Sequence, residues 1–402
     1  MWEILKTFFV LGCISFGGPA AHIGYFRETF VQRLAWLSER QYAEFVALSQ
    51  FLPGPGSSQV GFAIGYHRLG LKGACSAFLG FTLPSIVIML LLVISAGELA
   101  GNDVFQSVIH GLKLLAVVVV FDAVLLMYKN FCQGKPRILL CLITACTLLI
   151  SPGVIEQILV LIFAAIIGVI FLQDLPSDNK GQRLKKKKHC LISNVCILIN
   201  YKPLIIFLLL LLILPLFLLL YPATNSVVLD SFSLFSDFFQ AGSLVFGGGH
   251  VVLPLLQNIV EGQVTPDQFL TGYAIAQAIP GPMFTLATYI GYFILPSAPI
   301  IGSLVATLAV FLPGFLLLLS CLKNWKRLAK MPNLAAAING VNAAVVGLLI
   351  SALYQPVFVS AVFNGIDMAV VLAGFYLLKC RKLPIMVLVF LFSATGALLG
   401  FI

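Results

Sequence analysis

Charged side chains are scarce in this chain. Asp, Glu, Lys and Arg make up 10% of its 402 residues, and 60% are hydrophobic. A soluble domain carries about 25% charged residues, so a water-facing globular surface is excluded. The apolar–polar alternation of a membrane barrel is also missing. The nine cysteines are scattered, with no C-x-x-C and no histidine cluster at ligand spacing, which argues against a metal site or a disulfide framework. There is no H-E-x-x-H, no assembled nucleophile, base and orienting acid, and no G-x-x-x-x-G-K-[ST]; neither an enzyme nor a cofactor is expected. The first residues lack a short apolar run followed by a small-residue cleavage site, so no cleaved signal peptide is expected.

What is present is apolar sequence of bilayer-spanning length, as in 154–172 and 204–220. The reading is an all-α polytopic membrane protein surrounded by lipid. The formal charge of +9 fits Lys and Arg gathered in cytoplasmic loops. The run Lys185–Lys188 has no stacking aromatics beside it, so no nucleic-acid partner is expected.

The chain repeats itself. Phe16-Gly17-Gly18 matches Phe246-Gly247-Gly248, and Pro53-Gly54-Pro55 matches Pro280-Gly281-Pro282. Gly65-Tyr66 matches Gly291-Tyr292, Leu83-Pro84 matches Leu312-Pro313, and Gly111 matches Gly340. The offsets are 230, 227, 226, 229 and 229. Chance does not produce five ordered matches at one offset. The units are residues 1–175 and 230–402, and 176–229 holds a basic loop plus a linker helix at 203–221.

Loop charges orient the two units. The loops 27–40, 67–72, 129–137 and 180–202 are basic, whereas 97–103 and 151–153 contain no Lys or Arg. In the second unit the counterparts of the basic loops, 255–267, 293–300 and 354–364, lack Lys and Arg, and the counterparts of the neutral loops are basic. By the positive-inside rule the second unit is upside down. Inverted repeats of this kind are the recurring plan of secondary transporters.

Pro-Gly-Pro cannot continue a helix. Since 27–40 and 67–72 both read as cytoplasmic, residues 42–66 should enter and return, with Pro53-Gly54-Pro55 at the tip. Residues 268–292 should do so from the other face. Irregular backbone at membrane depth must be buried in protein or line a watery cavity. Gly56, Ser57 and Ser58 open a helix whose free N–H groups suit an anion. The breaks at Gly17-Gly18 and Gly247-Gly248 let backbone approach a ligand, and His22 and His250 follow them. With Gly54, Gly281 and Thr285, these residues form the candidate substrate site, and a tetrahedral oxyanion fits such donors best. The ordinary alternatives are a packing kink, a capped helix and a hydrogen-bonded structural histidine. Arg27, Glu44, Lys113 and Asp122 are candidates for charge or proton coupling. Residues 4–26 either cross once or turn back at Gly17-Gly18.

Phe16-Gly17-Gly18-Pro19-Ala20-Ala21-His22-Ile23, Trp36-Leu37 and Gln50-Phe51-Leu52-Pro53-Gly54-Pro55 resemble the N-terminal half of the chromate ion transporter family. Phe246-Gly247-Gly248-Gly249-His250, Gln277-Ala278-Ile279-Pro280-Gly281-Pro282 and the run from Gly340 to Gly347 resemble its C-terminal half. The resemblance implies a two-repeat plasma-membrane transporter that expels chromate and confers resistance, with sulfate as a close analogue of the substrate. The basic insert 180–202 is unlike the family pattern. A homodimer is compatible with this reading. The N-terminus and the loop 174–202 are expected in the cytoplasm and the C-terminus outside.

Overall fold

Backbone amides in hydrocarbon have no water to bond, so apolar sequence must satisfy them within helices. The computed structural model describes residues 1–99, 102–172, 200–220, 227–246, 249–260, 262–328 and 331–400, and no strand occurs among them. The first half comprises α1 (Trp2–Ile14), α2 (Gly18–Arg27, continued by a π-turn over Glu28–Arg33), α3 (Glu39–Phe51), α4 (Gly56–Leu99), α5 (Asp103–Phe131), α6 (Lys135–Ile150) and α7 (Val154–Phe171). A linker helix, α8, spans Tyr201–Leu220. The second half comprises α9 (Val227–Leu244), α10 (Val252–Ile259), α11 (Pro266–Ala278), α12 (Met283–Ile294), α13 (Pro299–Cys321), α14 (Pro332–Phe358), α15 (Gly365–Lys379) and α16 (Ile385–Leu399).

Helices α4, α5, α7, α8, α13 and α14 are long and apolar enough to cross a bilayer. The linker α8 leaves Leu212, Leu216 and Leu219 exposed, a surface that lipid covers favourably. Most of the basic insert, 173–199, and the last linker position, 221, lie outside the described residues.

Both entering helices begin the same way. Ser38 and Gln41 form a capping box on α3, and Thr265 and Gln268 form one on α11. α4 is broken at Leu69 and Gly70 into arms 56–68 and 71–99. The arms fold back because Gly65 and Gly73 lack side chains: a Cβ on either would strike the other's carbonyl. Gly291 and Gly302 make the same reciprocal contact between α12 and α13. The first hairpin begins and ends on one face, since the Gln41 amide lies 3.4 Å from the His67 ring and Arg68 stacks over Trp36 at 5.0 Å. α1 and α2 also turn back at the first glycine break, because Phe8 stacks on Phe30 with ring centroids 4.8 Å apart.

The inversion is visible in side-chain pairing. His110 on α5 bonds Asp367 on α15, and Asp122 on α5 bonds Lys379 on α15. Both pairs are separated by 257 positions, so α5 and α15 run parallel. α6, the counterpart of α15, follows α5 after the short link 132–134 and runs the opposite way. Equivalent helices therefore point in opposite directions.

The halves are also interleaved. α6 and α7 pack on α14 of the second half, and α15 and α16 pack on α5 of the first. Glycines make these crossings close: a Cβ on Gly111 would strike the Phe392 carbonyl, and one on Gly340 would strike the Ala164 carbonyl. Such small-residue contacts are the usual means of helix association in lipid, where apolar burial drives little. α1 to α4 additionally share an apolar cluster of their own, including Phe8, Phe26, Phe30 and Phe81.

Candidate functional site

Each Pro-Gly-Pro tip ends on the opposite half. The Gly54 N–H donates to the Val245 carbonyl at 2.7 Å, and the Gly281 N–H donates to the Ser15 carbonyl at 2.8 Å. Ser15 follows α1, and Val245 follows its counterpart α9. Each tip thus satisfies the carbonyl left open where the other half's first helix breaks. Gly54 and Gly281 hold φ of +118° and +99°, a region that side-chain-bearing residues rarely adopt.

The tips also press on the long helices. A Cβ on Gly54 would lie 2.7 Å from the Gly314 Cα, and one on Gly281 would strike the Ser85 Oγ. Ser85 Oγ donates to the Pro280 carbonyl at 2.8 Å. Gln59 Nε2 donates to the carbonyls of Pro53 at 2.8 Å and Gly314 at 3.1 Å. Ser85 and Gly314 each follow a proline, Pro84 or Pro313, well inside a helix long enough to span. Both tips therefore pack against the interior of a long apolar helix, buried in protein.

The first break carries Gly17 at φ +97° and Gly18 at +72°, and Pro19 opens α2. His22, fully buried, has Nδ1 3.2 Å from Ser57 Oγ and Nε2 3.2 Å from the Ser15 carbonyl. It ties the break to the helix that leaves the first tip. His250 instead has Nδ1 3.0 Å from the Tyr273 hydroxyl of α11. Gly56 packs against Ser49, and Thr285 donates to the Pro282 carbonyl at 2.9 Å. Gly247 and Gly248 lie outside the described residues.

Buried polar atoms that make no hydrogen bond of regular geometry gather here. Ser15 Oγ, Ser58 Oγ, Gln59 Oε1 and Gln277 Nε2 all flank the breaks and tips. Such atoms are costly and rare in folded proteins. A small cavity of about 20 Å³, bounded by Gly17, Gly18, His250, Gln277, Gly281 and Met283, lies between the first break and the second tip. Ser15 and Ser85 carry no signal in the sequence, and neither Gln59 nor Gln277 stands among the candidate substrate residues. The two glutamines sit in or beside the repeated tip motif, which was their only signal.

The charged candidates lie elsewhere. Arg27 forms a bidentate pair with Glu39, Nη2 to Oε1 at 2.7 Å, between α2 and α3. Its guanidinium holds the Glu39 carboxyl below the usual carboxylate range. Glu44 pairs with Arg40 at 3.4 Å and Asp122 with Lys379 at 2.6 Å. Lys113 is buried and donates to Asp267 at 2.5 Å. Asp267 is in the first turn of α11, about 20 Å along the hairpin from its tip at 1.5 Å per residue.

The pseudo-symmetry is also broken along the flanks of the two hairpins. Ala43, Ala47 and Gln50 form an exposed face of α3. Their counterparts on α11, Leu270, Ala274 and Gln277, are buried. α11 is covered by α5 and α16 of the intertwined bundle. The first hairpin is open along the flank that its counterpart has sealed.

A family model described as Chromate transporter matches residues 2–169 and 232–401, one copy per half. The chain belongs to the chromate transporter family. A probable chromate transport protein of Synechococcus elongatus is 29% identical over 354 residues, 87% of this chain and 83% of that protein. The chromate transport protein of Cupriavidus metallidurans is 27% identical over 415 residues, covering 100% and 92%. An uncharacterized transporter of Methanocaldococcus jannaschii is 27% identical over 400 residues, covering 99% and 94%. No solved structure matches the chain. For this transporter the two family matches coincide with the two structural halves and leave out α8.

Proposed function

We propose that the protein is a secondary transporter that exports chromate, a tetrahedral oxyanion, from the cytoplasm across the plasma membrane and thereby confers resistance. The observation that carries this reading is the pair of reciprocally docked tips, flanked by the buried Ser15 and Ser58 hydroxyls and the Gln277 amide. Gly17, Gly18, Gly54, Gly56, Gly247, Gly248 and Gly281 let backbone reach the anion. Ser57, Ser58, Thr285, His22 and His250 add side-chain hydrogen-bonding groups. Hydroxyl and N–H donors without a fixed positive charge bind a dianion and still release it.

The basic loops mark the cytoplasmic side, with the N-terminus inside and the C-terminus outside. The exposed flank of α3 supports a cytoplasm-facing state, in which the anion enters beside the first hairpin. A cavity of about 20 Å³ has room for about one water, so the anion requires the tips to part. A dianion leaving a negative interior gains roughly 4.6 kcal/mol per 100 mV, so the potential suffices as a drive and no nucleotide is required. Sulfate shares the shape and charge and is the alternative substrate.

Proteoliposomes at a set potential test this reading. Labelled chromate should move with the potential, and unlabelled sulfate should compete if it shares the site. Flux equal to that of empty liposomes would remove the assignment.

A further inference from the structure

Resting on that reading, we propose that Gln277 and Gln50 are a symmetry-related pair of anion-contacting side chains, used in alternation. Gln277 lies one turn before the second tip and is 93% buried, with 7% of its surface exposed. Its side chain lines the cavity with Gly17, Gly18 and Gly281, and its Nε2 makes no hydrogen bond of regular geometry, the Tyr273 hydroxyl being the polar group beside it. An amide N–H shut away from water without a well-aligned acceptor is destabilising by itself. An anion held at the tip would accept from it.

Gln50 holds the equivalent place before the first tip, 227 positions earlier. It is exposed on the flank that its counterpart has sealed. A polar amide deep in the span and open on one side belongs to a water-filled cleft, since lipid would leave it unsatisfied. The chemistry suits the cargo. Glutamine offers two N–H donors and no charge, so it orients an oxyanion without trapping it as Arg or Lys would. In the cytoplasm-facing state Gln50 meets the entering anion and Gln277 closes behind the tip. In the opposite state their exposures exchange.

The test is chromate flux through full-length protein in liposomes at a fixed potential, with insertion checked by the amount of protein recovered. Gln277→Ala should raise KM about tenfold, a loss of about 1.4 kcal/mol, with maximal flux within twofold of the parent. Gln277→Glu keeps the shape but presents acceptors and negative charge, and should abolish flux. Gln50→Glu lies on an exposed face where the fold tolerates it, so it decides the matter if the Gln277 variants insert poorly. It should raise KM for chromate presented on the cytoplasmic side. Parental KM in Gln50→Glu and in every inserted Gln277 variant would overturn this proposal while leaving chromate transport standing. Absence of flux in the parent would instead overturn the reading on which it rests.

Discussion

Ser85 of the first half bonds the Pro280 carbonyl of the second half at 2.8 Å and occupies the space where a side chain on Gly281 would go. The contact joins a long helix, just after its Pro84, to the tip of a hairpin from the other half. Its counterpart sets Gly314 against Gly54. Two demands meet at each tip glycine: a positive φ and the absence of a Cβ.

Gly54→Val and Gly281→Val should therefore abolish transport while the protein still inserts. Adopting the left-handed region costs an L-residue about 1–2 kcal/mol, and the collision with the facing helix adds to it. Ser85→Gly should partly restore a Gly281→Ala variant, because it removes the collision but not the strain. Flux in liposomes, normalised to inserted protein, measures this. Parental flux in Gly54→Val would mean that the tip is an ordinary packing kink.

His22 joins Ser57 and Ser15 across the first break. Ser57→Ala should weaken chromate affinity mildly and lower thermal stability by about 1 kcal/mol, the net worth of one hydrogen bond. His22→Leu should cost more, because it strips two partners at once. Thermal unfolding in detergent, read beside flux, separates the two effects. Equal melting of the parent and His22→Leu would contradict the bridging role.

Lys113 is neutralised by Asp267 at the mouth of the second hairpin. Lys113→Gln should leave flux within a few-fold of the parent, since the pair is remote from the tip. Asp267→Leu should be the more damaging change, at about 1–3 kcal/mol and toward the lower end because the aspartate is screened by solvent. A tenfold drop in flux by a stable Lys113→Gln protein would reassign the lysine to the anion path.

The unequal exposure of the two hairpins gives a labelling prediction. In a variant whose native cysteines are replaced by serine, Ala47→Cys should react with a membrane-impermeant maleimide added from the cytoplasmic side. Ala274→Cys, its buried counterpart, should be protected. Inverted membrane vesicles present the required face. Equal labelling at both positions would show that the two flanks open alike.

The helical, twofold and inverted character of the protein was legible in the sequence. Length of apolar run dictates helices in lipid, repeated letters at one offset reveal a duplicated unit, and loop Lys and Arg record orientation. Each is a local property that survives without knowledge of the fold. The broken hairpins followed from the same arithmetic, because a segment between two cytoplasmic loops must return. Only the tertiary structure decided where the tips go. Gly54 meets Val245, Ser85 meets Pro280, and His110 meets Asp367, contacts between positions far apart in the chain that leave no periodic trace in it. It also decided that Gln50 is open while Gln277 is sealed. Matching letters predict matching environments, and that symmetry is broken by how α5 and α16 pack over one hairpin.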